Sequence, residues 1–154
     1  MAAGLTVEAT RLGELRVFLE DALGARVAAQ EDHGIAIDAA VTARGATIEM
    51  IEAFERAGPF GAGHPEPVFV LPAHRIVFAD VIGNGHVRVT LAAADGASLK
   101  AMAFRAADAP LGQALLASRG RNLHFAGTLS IDQWQDRRSP TLRLLDAAEP
   151  TLAP

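Results

Sequence analysis

An aromatic side chain stands beside two cations late in the chain, a combination suited to binding single-stranded nucleic acid. Trp134, the only tryptophan, is followed by Arg137 and Arg138. The indole ring would stack on a base while the guanidinium groups meet phosphates. Asp132 and Asp136 lie in the same stretch and weaken the positive potential there. A plainer interpretation stays open, in which the tryptophan covers one end of the fold and the arginines are solvated.

A predicted strand at 86–94 supplies further candidates. Its apolar residues recur at every second position, so the residues between them point to the opposite face. That face carries His86 and Arg88, and Arg88 is a candidate phosphate contact. The positions that we expect to face the core are Val87, Val89 and Leu91.

A predicted strand at 98–105 leaves two arrangements open. Lys100 and Phe104 share one face, whereas Arg105 lies on the other. If the first face is outward, Phe104 and Lys100 repeat the pairing of a ring with a charge. If it is inward, Phe104 joins the core and Arg105 stands at the strand end. We favour Phe104 in the core, and we keep Lys100 and Arg105 as candidate nucleic-acid contacts.

Residues that could hold a metal ion or act as acid and base are scattered. The histidines do not stand at ligand spacing near a set of carboxylates, so we expect no metal site and no cofactor in this chain. The carboxylates between Asp38 and Glu55 fall mainly on a predicted solvated helix face, which argues against general acid or base catalysis. We therefore expect the chain to bind rather than to react. The histidines are His33, His64, His74, His86 and His124.

The chain is acidic overall, with a formal net charge of -4, but its charge is unevenly distributed. Residues 1–85 contain six arginines, no lysine and twelve carboxylates, which gives -6, whereas residues 86–143 contain eight cations and four aspartates, which gives +4. Asp146 and Glu149 complete the total. Because phosphate contact requires local positive potential, a polyanion would bind to the second part. The alternative is an uneven distribution of surface charge that binds no ligand.

The composition narrows the class of protein. The length of 154 residues allows one domain or somewhat more. No stretch approaches the roughly twenty apolar residues that a membrane helix needs, and the N-terminus has no signal-peptide pattern. Cysteine is absent, which excludes disulfides and is compatible with a reducing compartment. We therefore expect a cytoplasmic protein without a membrane partner.

The first half of the chain has a helical pattern. Apolar residues follow Thr6, a candidate N-cap, at intervals of three and four, so we predict a helix that buries one face and ends at Gly24. A short strand is predicted at 34–41. Thr47 is predicted to cap a second helix, which ends at Gly58-Pro59. The apolar positions of the first helix are Leu12, Leu15, Phe18, Leu19 and Leu23.

The second half alternates apolar and polar residues, which is typical of strands. A helix is predicted at 111–118, between the third and fourth strands. Five strands with a helix at this place is the order of an OB-fold, with another small barrel as the alternative. OB-folds bind ligands on their second and third strands and on two loops, here Gly83–Gly85 and Asp132–Ser139. The predicted strands cover residues 68–82, 86–94, 98–105, 122–131 and 141–146.

The chain contains the stretches PFGAGHPEPVF, MAAGLT and IDQWQDRRSPTL, and all three resemble parts of the RecJ family of bacterial single-stranded-DNA exonucleases. PFGAGHPEPVF, Pro59–Phe69, resembles the linker between the DHH-associated domain and the OB-fold of that family. Its prolines and glycines exclude a regular helix or strand, so we expect a rigid corner. MAAGLT, Met1–Thr6, resembles the residues after the family's glycine-glycine-histidine motif. IDQWQDRRSPTL, Ile131–Leu142, resembles its penultimate strand and loop.

The resemblance implies an α+β chain in which a five-stranded OB-fold barrel follows a partial α/β segment. The segment would be the remnant of a DHH-associated domain and would expose part of that domain's core, so Leu5, Phe18 and Leu19 are expected at the surface. The expected boundaries are 1–58 for the remnant, 59–67 for the rigid linker, 68–148 for the OB-fold and 149–154 for a flexible tail.

The resemblance also implies a function. RecJ-like enzymes degrade single-stranded DNA from the 5′ end in recombination and repair, using Mg or Mn in a DHH domain that this chain lacks. This chain would bind and orient single-stranded DNA, lack hydrolase activity by itself and pack on the N-terminal catalytic domain of the same protein. The alternative is a structural OB-fold that packs on that domain without contacting DNA. The candidate contacts are His86, Arg88, Lys100, Arg105, Trp134, Arg137 and Arg138.

Overall fold

Residues 4–28 and 34–150 are described by the computed structural model, apart from the side chains of residues 25–28 and of Trp134. Contacts between residues divide the chain after Ile35 into two compact units. Within the described residues, no helix is both long enough and apolar enough to cross a membrane. The sequence predictions for residues 1–3 and for the tail at 151–154 fall outside this description.

The first unit contains a 3₁₀ turn, Ala9–Arg11, and helix α1, Leu12–Ala28. The prediction that Thr6 caps this helix is wrong, because the turn starts after Glu8, whose side chain makes no capping hydrogen bond. Gly24 lies inside α1 rather than at its end. One glycine in a helix interior costs only about 1 kcal/mol relative to alanine, so it does not have to terminate the helix.

Helix α1 exposes apolar residues instead of burying one face. Leu12 and Leu23 are exposed, so the prediction of a buried face is wrong for these positions. The expected exposure of Leu5, Phe18 and Leu19 is confirmed. A spacing of three and four residues aligns side chains on one side of a helix, but their burial requires a second surface.

The second unit begins with a segment that backbone hydrogen bonds attach to the main sheet. Strand β1, Ala39–Ala40, pairs in parallel with the start of strand β2, Phe69–Ile82. The carboxylate of Asp38 accepts a hydrogen bond from the N–H of Val68 at 2.8 Å. The strand predicted here is therefore present but only two residues long.

Helix α2, Ile48–Glu55, packs its apolar face on the sheet. The hydroxyl oxygen of Thr47 accepts a hydrogen bond from an N–H of the first turn at 3.2 Å, which confirms the predicted cap. Ile51 is fully buried, and the ring centroids of Phe54 and Phe69 are 5.3 Å apart. Residues 36–58 therefore contact the sheet directly, although the sequence assigned them to a separate remnant. Whether they derive from a DHH-associated domain stays a prediction.

The segment rich in proline and glycine forms a corner between α2 and β2. Gly61 and His64 exchange two backbone hydrogen bonds, and the rings of Phe60 and His64 lie with centroids 5.0 Å apart. Nε2 of His64 lies 3.2 Å from the carbonyl oxygen of Ala57, so this histidine also contacts the end of the segment before the corner. The Gly58-Pro59 peptide bond is cis. Both ends of the corner belong to the same compact unit.

Five strands close into a barrel, as predicted. Strand β2 pairs with β3, β3 with β4, and β5 with both β6 and β2, all antiparallel, while β4 and β6 pair in parallel. Helix α3, Pro110–Ala117, connects β4 to β5. This order is that of an OB-fold, and the α+β fold class is confirmed. The remaining strands are β3, His86–Ala92; β4, Ser98–Ala103; β5, Asn122–Trp134; and β6, Arg137–Ala148.

The barrel core is built from alternate residues of each strand. Val87, Val89 and Leu91 of β3 are fully buried, as predicted. Phe125 of β5 and Leu142 of β6 meet them in the same core. Because strand side chains alternate between faces, the residues between these positions point outward. Each barrel strand therefore presents one row of side chains to solvent.

Several strand ends differ from the prediction, and those of β4, β5 and β6 affect the candidate site. Strand β4 stops at Ala103, because Arg105 adopts a φ of 51° and turns the chain. Strands β5 and β6 continue until only Gln135 and Asp136 separate them, with φ of 47° and 61°. Two residues of positive φ form the turn that matches the twist of a hairpin. The predicted loop Asp132–Ser139 is therefore the tip of a β-hairpin.

Candidate nucleic-acid interface

The outward side chains of β2, β3, β4 and β6, with Phe104 just after β4, form one continuous surface, which we call the sheet face. Arg88 on β3 lies opposite Met102 on β4, and Met102 lies opposite Arg143 on β6. Lys100 occupies the next outward position on β4. Neighbouring strands are about 4.8 Å apart, so the register brings the three cations together.

The sheet face is cationic although the chain is acidic. Arg88, Lys100 and Arg143 are all exposed. Asp80 of β2 faces them, with its Oδ2 atom 4.0 Å from a terminal nitrogen of Arg88. Both side chains of that pair are about half exposed, at 47% and 51%, and such pairs contribute little to stability. Arg88 is therefore only weakly held and can meet an anion.

Exposed aromatic rings accompany these cations. Phe104, which follows β4, is 54% exposed, and Phe78 of β2 is 42% exposed. Our preference for Phe104 in the core is wrong, because Ala101 and Ala103 carry the buried face of β4. The face that holds Lys100 is the outward one. The alternative in which Phe104 and Lys100 both face outward is the arrangement in the structure, but the charge beside the Phe104 ring is that of Arg143.

His86 and Arg105 meet at one end of the sheet face. The N–H of Arg105 donates to Nδ1 of His86 at 2.9 Å. The rings of His86 and Phe104 meet edge to face, with centroids 5.2 Å apart and planes at 70°. Because Nδ1 acts as an acceptor, the neutral ring carries its proton on Nε2. His86 therefore holds the turn after β4 and with it the position of Phe104. Its role as a phosphate contact stays a prediction.

The hairpin between β5 and β6 carries the other predicted contacts. The backbone of Trp134 pairs with that of Arg137, while the tryptophan side chain lies outside the described part of the structure. A terminal nitrogen of Arg138 lies 2.6 Å from an oxygen of Glu52 on α2. Arg138 precedes Arg143 on β6 by five residues, which is about 17 Å along a strand. The hairpin arginines therefore occupy a different part of the barrel surface from the sheet face.

Comparison with known proteins identifies the family. A model of the RecJ OB domain matches residues 37–146, which is most of the chain. The chain belongs to the RecJ OB domain family. The resemblance inferred from the sequence is thereby confirmed. No curated protein sequence matches the chain.

Solved structures agree on the fold of this RecJ OB domain. A crystal structure of RecJ from Thermus thermophilus in complex with Mn2+ is similar with a TM-score of 0.56 and 23% identity, over 88% of this chain and 20% of that one. The Mg2+ complex from the same organism gives a TM-score of 0.50 and 21% identity, over 88% of this chain and 21% of that one. The chain therefore spans about one fifth of the Thermus protein.

The RecJ OB domain match extends beyond the barrel. It starts at residue 37, which places β1 and α2 within it. The division of the chain by contacts after Ile35 agrees with this start. Helix α1 precedes the matched residues.

The described residues of the RecJ OB domain do not fit a catalytic metal ion. Among residues 4–28 and 34–150, no group of three His, Cys, Asp or Glu side chains could hold one. The buried His74 has both ring nitrogens in hydrogen bonds to the backbone.

Two residues of the sheet face were missed as candidate contacts. Arg143 lies within the strand predicted at 141–146, but only the parallel pairing of β4 with β6 brings it beside Phe104. Phe78 follows the buried Ile76 by two residues, so simple alternation places it inside. A bulge between these two residues turns Phe78 outward. No local sequence signal marks either effect, because both depend on strand register.

Proposed function

We propose that the RecJ OB domain of this chain binds single-stranded DNA on its sheet face. The observation that carries the proposal is the gathering of Arg88, Lys100 and Arg143 on adjacent strands of an acidic protein. Phosphates are bound where positive charge is concentrated locally, so this surface is the natural place for a polynucleotide backbone. OB-folds generally hold oligonucleotides on the outer face of their second and third barrel strands, which are β3 and β4 in this chain.

Access to this surface supports the proposal. Helix α2 contacts β5 and β6 of the barrel. The side chains of Arg88 and Lys100, on the two strands farther along the sheet, are exposed. A single strand of DNA that lies across β3 and β4 would therefore not have to displace α2.

Within a whole RecJ-like protein, we propose that this domain grips and orients the strand. The catalytic domain of such a protein would hold Mg or Mn and degrade single-stranded DNA from its 5′ end during recombination and repair. That role places the protein in the cytoplasm with the DNA. The chain by itself is expected to give no hydrolysis of labelled single-stranded DNA when Mg or Mn is added. Metal-dependent turnover by the purified chain would contradict this division of labour.

A structural role is the second candidate, and one observation favours it. Val77 and Val81 of β2 are 52% and 44% exposed, which gives the barrel an apolar surface beside its charged one. Exposed apolar patches commonly mark sites where another protein surface docks. On this alternative the domain packs on the catalytic domain of the same protein and does not contact DNA.

A salt titration of binding distinguishes the two candidates. Fluorescence anisotropy of a labelled 12-nucleotide oligo-dT is measured between 50 and 300 mM salt. With three phosphates neutralised, log K should fall with log salt at a slope of about -2. Lys100→Gln, Arg88→Gln and Arg143→Gln should each make that slope less steep by about 0.7. Binding no tighter than that of an unrelated acidic protein would refute the proposal and favour the structural role.

A matched control removes a charge outside the sheet face. Arg16 lies on α1, 2.9 Å from Glu20, and its side chain is 81% exposed. Arg16→Gln changes the net charge by the same amount as the three test variants. It is expected to leave the salt slope unchanged. An equal effect from the control would mean that the overall charge, and not the sheet face, determines binding.

A further inference from the structure

Two exposed phenylalanine rings on the sheet face have no structural role that requires their exposure. Phe78 and Phe104 are 42% and 54% exposed on the outside of a barrel whose core is already filled by other residues. Each ring nevertheless has a defined position. Phe78 lies in strand register opposite Thr90, and Phe104 is held edge to face by His86. The protein therefore presents two fixed aromatic surfaces to solvent.

A guanidinium group lies over each of these rings. The Cζ atom of Arg88 is 5.6 Å from the centroid of Phe78, and that of Arg143 is 5.6 Å from the centroid of Phe104. Arg119 also approaches Phe78, at 6.0 Å, and donates a hydrogen bond to the carbonyl oxygen of Ala79. Arg88 and Arg143 belong to the cationic row of the sheet face. The cations expected to meet phosphates thus cover the rings in the free protein.

The strengths of the two interactions favour displacement of the arginines from the rings by nucleic-acid bases. A cation over an exposed aromatic ring strengthens an equilibrium by only about 2- to 5-fold. Stacking of a nucleic-acid base on such a ring contributes about 5- to 140-fold. A guanidinium displaced from a ring also gains a stronger partner when a phosphate lies nearby, because hydrogen bonds between charged groups are the stronger ones.

From this geometry we infer that Phe78 and Phe104 are two base-stacking positions, each covered by an arginine that a bound base displaces toward a phosphate. The inference rests on the proposed function and adds its binding mode. The ligand class is an unpaired oligonucleotide of any sequence, because every base has a stacking face. A duplex keeps its bases stacked on one another, so it can use only the cations. The two rings therefore provide the preference for unpaired strands.

The separation of the rings sets a minimum length for the ligand. Phe78 on β2 is in register with Thr90 on β3, and Thr90 is in register with Lys100 on β4. Phe104 lies two strands away from Phe78 and four residues beyond Lys100. Strand spacing and rise then place the two Cα atoms about 16 Å apart. An oligonucleotide of a few nucleotides can occupy both positions, whereas a dinucleotide occupies one. Affinity should therefore increase sharply with length over the first few nucleotides.

The test compares ring variants and charge variants on two ligands. Phe104→Leu should weaken binding of 12-nucleotide oligo-dT by about 5- to 140-fold, with the salt slope unchanged. Its binding to a 12-base-pair duplex should not change. Phe104→Tyr keeps a stacking ring and should retain the affinity. Arg143→Gln should instead make the slope less steep by about 0.7 on the single strand. Phe18→Leu makes the same substitution at an exposed position of α1 and serves as the matched control.

A spectroscopic arm reports stacking directly. In a Trp134→Phe background, Phe104→Trp introduces an indole whose fluorescence should be quenched when oligo-dT binds. Salt-dependent binding by the unchanged protein together with normal affinity of Phe104→Leu would refute this inference and leave the proposed function intact. Equal losses on single strand and duplex would refute it as well, because a stacking residue does not contribute to duplex binding. Absence of binding by the unchanged protein would refute both.

Discussion

His74 of β2 makes two buried hydrogen bonds, and removing them should destabilise the protein by a measurable amount. The histidine is 2% exposed. Its Nε2 atom accepts from the N–H of Ala43 at 2.9 Å, and its Nδ1 atom lies 2.9 Å from the carbonyl oxygen of Pro72. These partners place the ring proton on Nδ1. The imidazole therefore connects β2 to the segment that follows β1.

Replacement of His74 by leucine fills the site with an apolar side chain but removes the acceptor atom, Nε2. The N–H of Ala43, itself buried, is then left without a partner. An unpaired buried donor costs about 1–3 kcal/mol. For a protein of this size, each kcal/mol lowers Tm by about 2–4 °C, so the expected decrease is roughly 2–12 °C.

Urea unfolding of the whole chain measures this loss, and a second variant separates it from a general packing effect. His74→Gln places an amide oxygen near the position of Nε2, so it should recover more than half of the free energy lost in His74→Leu. A change within about 0.5 kcal/mol for His74→Leu would contradict the reasoning, since that is the range of ordinary surface substitutions. An equal loss in both variants would show that packing, not the hydrogen bond to Ala43, is responsible.

Further predictions concern pH, backbone packing and the hairpin. Hydrogen bonds hold the pKa of Asp95 below its usual value. The largest effect comes from Arg44, whose Nε donates to the carboxylate at 2.5 Å, and the next comes from the backbone N–H of Ala97. Ionised Asp95 therefore stabilises the fold above its unfolded pKa of about 3.9, and this effect is lost as pH falls through the lower folded pKa. Asp95→Asn should reduce the free energy of unfolding in urea at pH 7. It should also make the decrease in that free energy below about pH 4 less steep. Gly112→Ala places a methyl group against the backbone carbonyl of the turn after β4 and should cost about 1–3 kcal/mol in thermal unfolding. Arg138→Gln should change the salt slope of DNA binding less than substitutions on the sheet face do, because Glu52 already pairs with that guanidinium.

The barrel itself could be predicted because its signals are local. Alternation along β3 identified its inward residues, and the helix between the third and fourth barrel strands indicated an OB-fold or another small barrel. The cap at Thr47 was also predictable, since it depends on one hydroxyl and one nearby N–H. The first helix was less so: its apolar spacing says which residues align but not whether a second surface covers them.

The site was harder to predict, because it depends on pairings between distant parts of the chain. The parallel register of β4 and β6 places Arg143 beside Phe104, and no spacing in the sequence encodes it. A bulge reverses the expected direction of Phe78, and a positive φ at Arg105 ends β4 early. The hairpin turn at Gln135 lacks the Asn-Gly or Asp-Gly pair that usually signals such a turn, so residues of two strands looked like a loop.

The parallel pairing of β1 with β2 determines how short a stable expression fragment can be. Cutting the chain at the proline- and glycine-rich corner would seem natural, yet it would strip a strand from the edge of the sheet and leave Phe69 without the ring of Phe54. The fully buried Ile51 would be lost with them. A fragment intended for crystallisation with an oligonucleotide should therefore begin no later than Ala36, even though every strand of the closed barrel lies beyond residue 68.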